Sequence, residues 1–118
     1  MTTTPIWTSK DGQSHLYHAE AVGVMAQFDA GRVQALITAP PYSSGGQFRS
    51  DRMQRTSTKY IQWGTRRVLP EFSGDNRDQR AYLAWSTVWL AEALRSATPG
   101  SPCCLFSDWR QLPTTSDA

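Results

Sequence analysis

Val33-Gln34-Ala35-Leu36-Ile37-Thr38-Ala39-Pro40-Pro41-Tyr42 is the stretch on which the fold turns. Its first six residues are a short apolar run with β-branched Val33, Ile37 and Thr38, bounded by Gly31 upstream and a proline pair downstream. A buried strand reads this way. Two consecutive prolines fix φ and remove two backbone donors, so the strand must stop. The chain then leaves its end in an extended, rigid turn whose carbonyls are free to point outward, with Tyr42 held immediately after it.

Upstream, residues 1–13 are polar and read as a loose lead-in, and His15-Leu16-Tyr17-His18-Ala19 alternates as a strand does. Glu20 to Phe28 carries Val22, Val24, Met25 and Phe28 at the spacing of a short helix, weakened by Gly23 and stopped by Asp29-Ala30-Gly31. Strand, helix and strand in this order predict a βαβ unit with parallel strands and a right-handed crossover. Downstream, residues 43–76 have little periodicity and are expected to form a flexible basic loop. Asp78 to Ala97 is the clearest helix. Tyr82, Trp85, Val88, Trp89 and Leu94 lie close to one stripe, Asp75 or Asp78 stands at its start, and Arg95 stands near its end. Thr98-Pro99-Gly100 ends it, Cys103 to Ser107 reads as a second buried strand, and Asp108-Trp109-Arg110-Gln111 leaves that strand. Leu112 to Ala118 begins another helix, with Thr114, Thr115 or Ser116 as its cap. The expected architecture is one α/β domain with about three parallel strands, interrupted in mid-pattern.

With 118 residues, 19% charged and 39% hydrophobic, the chain has the composition of a globular domain rather than a disordered or membrane protein. No apolar run approaches the roughly 18 residues of a membrane span. The start, MTTTPIWTSKDG, lacks a basic segment followed by an apolar one, so a cytoplasmic protein is expected. Cys103 and Cys104 are adjacent, which disfavours bridging them to each other and offers no metal-ligand spacing; two buried thiols are expected. His15 and His18 fall on opposite faces of a strand, so no metal site is expected there. The positive charge is concentrated. Between Gln47 and Arg67 stand Arg49, Arg52, Arg55, Lys59, Arg66 and Arg67, six cations against the single anion Asp51.

In open parallel sheets, ligands bind beyond the carboxyl ends of the strands, where Ala39-Pro40-Pro41-Tyr42 and Asp108-Trp109-Arg110 are both expected. VQALITAPPYSSGG resembles the region of the Asp-Pro-Pro-Tyr motif in S-adenosylmethionine-dependent DNA amino-methyltransferases, which act on adenine N6 or cytosine N4. HLYHAEAVGVMAQFDAGRVQALIT is similar to the strand and helix that precede this motif in the beta group, and the helix followed by TPGSPCCLFSDWRQ is similar to that family's helix, Pro-Gly turn and next strand. The resemblance covers roughly residues 14 to 112. It implies a methyltransferase-like, Rossmann-type doubly wound parallel sheet, of which this chain holds the amino-terminal part only, and a place in the restriction–modification chemistry of bacteria or phage.

The resemblance also implies roles. An exocyclic amine is a poor nucleophile because its lone pair is delocalised into the base, so the base must be turned out of the duplex and its amine held against the sulfonium methyl. In the family, the Asp carboxylate and the next proline's carbonyl accept the two amine hydrogens, and the aromatic residue stacks on the extruded base. Pro40 and Tyr42 match the last two roles, with Pro41 between them. The first falls on Ala39, which has no acceptor; losing such an electrostatic partner costs about 3 to 4 kcal/mol. The methyl donor's main loop, an aromatic-x-Gly-x-Gly pattern, does not occur in these residues, and in the beta group it lies further downstream. This chain alone is therefore expected not to methylate. Adenine N6 is preferred because the aspartate form of the motif is usual for adenine and a serine form for cytosine.

Beside the base-extruding motif, the loop cations read as phosphate contacts to double-stranded DNA, and five of the six are arginines suited to bidentate binding. Asp108 is either a contact to the methyl donor or the cap of the turn that follows. A second copy of the chain is a further candidate partner. Three accounts of Ala39 stay open: a deliberate inactivating substitution, decay in a truncated copy, and a working variant with another acceptor. Two other functions do as well: a catalytically silent DNA-binding remnant, and an α/β protein unrelated to DNA whose PPY turn binds a small nucleotide.

Overall fold

The computed structural model describes residues 3–42, 50, 53–59 and 70–118. The elements, in chain order, are β1 Trp7–Thr8, β2 His15–Leu16, α1 Ala21–Met25, β3 Leu36–Thr38, α2 Thr56–Lys59, α3 Gln79–Ser96, β4 Cys103–Leu105 and α4 Leu112–Asp117. β1 pairs with β2, and β3 with β4, in two separate two-stranded sheets. The protein is α/β, with a doubly wound sheet absent from the described residues. The chain divides into two compact units, Met1–Ile37 with Thr87–Cys104 and Thr38–Ser86 with Leu105–Ala118.

In the first unit the lead-in is not loose. Trp7 pairs with Leu16 and Thr8 with His15 in antiparallel register. The connection turns on Gly12 at φ 70°, a conformation that glycine adopts without a side-chain penalty. Ser9 donates to Asp11 at 2.6 Å and the Gln13 amide donates to the same carboxylate oxygen at 3.1 Å. These bonds hold the Asp11 carboxyl below the usual carboxylate range. The expected βαβ unit is thereby corrected: β2 is half of a hairpin, and it is not β3 that it pairs with. Helix α1 is capped by the Glu20 carboxylate, which accepts from the Gly23 amide at 3.1 Å. Arg95 donates to the carbonyls of Met25 and Phe28, both at 3.0 Å, and so binds the end of the α1 region to α3.

The β3–β4 pair is parallel. The Leu36 amide donates to Pro102 and the Phe106 amide to Thr38, both at 3.0 Å, so the two chains advance together. Val33 makes a further parallel bridge with Ala97. Among the described residues two parallel strands therefore stand where about three are expected from sequence. Both cysteines are exposed, correcting the expectation of buried thiols. Among the described residues β4 has one neighbouring strand, and the run takes on the exposure of an edge. Partial burial, with Cys104 adding to it, pushes the Cys103 thiol up.

Helix α3 starts at an Asp78 cap, whose carboxylate accepts from the Ala81 amide at 2.8 Å. Tyr82, Ser86, Trp89, Ala93 and Ser96 are buried. At about 100° per residue these five fall within about 40° of one line, whereas Val88 and Leu94 lie about 120° to either side. Val88 and Leu94 are accordingly 55% and 78% exposed, and serines take the inward places that the expected stripe gave to them. Helix α4 begins after Gln111 without a side-chain cap. Thr115 and Ser116 lie inside it, donating back to the carbonyls of Gln111 and Leu112.

Candidate functional site

The second unit contains both turns that the sequence singles out. Thr38 closes β3 and its carbonyl accepts the amide of Phe106, just past the end of β4. The residues that follow, 39–42 on one side and 107–110 on the other, thus depart side by side from the carboxyl end of one parallel strand pair. Ala39 is exposed, Pro40 is buried, and Pro41 and Tyr42 are half-buried. The burial follows from the chemistry, since a proline lacks the amide that would need a partner indoors. Ala39 brings no polar side-chain atom to this rim.

On the β4 side, Asp108 is engaged through its carboxylate within its own turn. Its carboxylate accepts the Arg110 amide at 2.8 Å and the Arg110 guanidinium at 3.1 Å, and its carbonyl accepts the Gln111 amide at 2.9 Å. It therefore acts as the cap of a turn, the second of the two roles read for it. The same guanidinium lies over the Trp109 ring at 5.0 Å from its centroid, and Trp109 is 76% exposed. Behind the turn, Ser107 and Thr115 share a hydrogen bond at 3.3 Å, and Thr115 meets the Tyr82 hydroxyl at 3.4 Å. This polar chain ties the turn to α3 and α4. Among the described residues, Gln111 Oε1 and Ser86 Oγ are buried without a hydrogen-bond partner.

The basic segment is partly within the described residues. Arg49, Arg52, Arg66 and Arg67 lie outside them. Arg55 is exposed, with Glu71 at 3.9 Å across a solvent-facing gap. Lys59 is different. Its ammonium donates to the Asp75 carboxylate at 2.6 Å and to the Asp75 carbonyl at 3.1 Å, and both side chains are only 1% exposed. It is withdrawn from the surface, so the phosphate role read for it does not fit its position. Asp75, read as an alternative helix start, is instead the counterion of Lys59.

Around this ion pair is a clasp. The Thr56 hydroxyl accepts the Phe72 amide at 2.9 Å and donates to the Phe72 carbonyl at 3.2 Å, as a paired strand would. The clasp pins α2 to residues 70–76. Gly74, at φ 94°, completes it: a Cβ there would collide with the Arg77 guanidinium. Arg77 in turn covers the Trp85 ring at 4.2 Å.

The exposed position of Trp109 has a usable signal in the sequence, its place directly after a strand-end aspartate. The clasp has none, because Lys59 and Asp75 lie sixteen positions apart in a stretch without periodicity. Among the described residues no helix is long and apolar enough to cross a membrane. No family model matches the chain, and no curated protein or solved structure matches it significantly.

Proposed function

We propose that the chain is the base-handling part of a DNA amino-methyltransferase that uses S-adenosylmethionine, acts on double-stranded DNA and prefers adenine N6 to cytosine N4. The fold in this reading is the amino-terminal portion of a Rossmann-type, methyltransferase-like doubly wound sheet. The observation that carries it is the Ala39-Pro40-Pro41-Tyr42 turn at the end of a parallel strand, beside the turn leaving β4. An extruded base stacks on Tyr42, and the Pro40 carbonyl accepts one hydrogen of its amine. Position 39 has no second acceptor, so the other hydrogen is unpaired and the charge growing on nitrogen is not met by an anion. Arg49, Arg52, Arg55, Arg66 and Arg67 hold phosphates and set the position of the duplex without specifying its sequence.

The methyl donor is a separate matter. Asp108, the residue read as its contact, is engaged by Arg110 through both its carboxylate oxygens, which does not suit a donor cradle. In this reading the donor's main contacts come from residues other than Asp108. The absence of an acceptor at Ala39 also favours a second reading, in which the chain binds and extrudes a base but does not transfer a methyl group.

A fluorescent adenine analogue placed opposite a mismatch in duplex DNA tests the base-handling claim, because a weakly paired base is the least costly to extrude. Its emission should rise when the chain binds, and Tyr42→Ala should abolish most of the rise while loop-arginine contacts keep the duplex bound. Binding with no change in emission contradicts base extrusion.

A further inference from the structure

Resting on this base-handling reading, we infer that Trp109 is a second nucleobase-stacking surface on the same rim, oriented by Arg110 and Asp108. A tryptophan with a packing role is expected indoors, as Trp89 is at 5% exposure, yet Trp109 leaves 76% of its surface in water. It is not left to find its own position. The Arg110 guanidinium stacks at 5.0 Å from the ring centroid, and Asp108 holds that guanidinium at 3.1 Å and the Arg110 backbone at 2.8 Å. The ring is braced on one side and open to solvent over most of its area.

Such a surface suits a planar π system. The charge of Arg110 is met by Asp108, so the three residues together present an aromatic plane with little net charge. That favours a base over a phosphate. Its place agrees: Trp109 is three residues past Phe106, whose amide is bonded to the residue before Ala39. A base that has left the stack meets Trp109 on the rim from which Tyr42 also departs. Trp109 is a positioning residue for nucleic acid and takes no part in proton or methyl transfer.

The test uses a single-stranded oligothymidylate, which has bases already free and needs no recognition sequence. Trp109→Ala should weaken its binding by about five- to a hundredfold, the range that stacking of one base spans, while Trp109→Phe keeps most of the affinity. The slope of log affinity against log salt should not change, since no phosphate contact is removed. Quenching of intrinsic fluorescence on binding should shrink in Trp109→Phe. Wild-type affinity in Trp109→Ala overturns the inference and leaves the base-handling reading intact. A slope shallower by about one unit also overturns it, because Trp109 would then be serving a phosphate contact of Arg110. If the unaltered chain binds neither this strand nor duplex DNA at low salt, the base-handling reading itself falls and takes the inference with it.

Discussion

At the clasp between α2 and residues 70–76, a lysine and an aspartate are sealed from water at 1% exposure each, whereas at the rim beyond β4 a tryptophan stands 76% exposed. Each region inverts the usual placement of its residue types. The clasp can do so because the charges neutralise each other and Lys59 also reaches the Asp75 carbonyl. The rim can do so because Arg110 covers part of the ring. The difference separates two kinds of contribution: the buried pair acts on folding, and the exposed ring is proposed to act on a ligand.

The largest effect should come from breaking the clasp. Asp75→Asn or Lys59→Met leaves one charge buried without its partner, and each should lower the stability of the fold by about 3 to 5 kcal/mol in urea denaturation. The double variant, Lys59→Met with Asp75→Leu, should recover much of that loss, since it removes both charges together. Additive losses in the double variant would mean that the two side chains stabilise the fold independently.

Far smaller changes should follow at the exposed sites. Trp109→Ala should alter stability by less than about 0.5 kcal/mol, as surface substitutions usually do, although it should weaken nucleic-acid binding. Arg55→Ala should do no more, because its pair with Glu71 spans 3.9 Å between side chains 82% and 54% exposed. A loss of several kcal/mol in either variant would erase the proposed contrast between clasp and rim.

The parts of the fold legible in sequence are those with strong local punctuation. The proline pair ends β3 as expected, Asp78 caps α3, and Thr98-Pro99-Gly100 follows it. The hairpin is harder to read, because strands of two residues have no periodicity; Asp11-Gly12 between Thr8 and His15 is the signal that reveals it. Tertiary contact decides the remainder. The inward face of α3 carries Ser86 and Ser96 in preference to Val88 and Leu94, and Lys59 reads as a surface cation until Asp75 is seen beside it. At the site, the adjacency of the two turns follows from strand order, while the engagement of Asp108 by Arg110 does not.

The central claim is that this chain handles DNA, and the salt dependence of its affinity for mixed-sequence duplex DNA tests that most directly. With Lys59 buried, the cations of the basic segment left for phosphate are Arg49, Arg52, Arg55, Arg66 and Arg67. If about four of them meet phosphates, log affinity should fall against log salt with a slope of about −3 to −4, and replacing Arg66 and Arg67 together should shallow it by about 2. No binding at low salt, or an affinity indifferent to salt, would contradict the account.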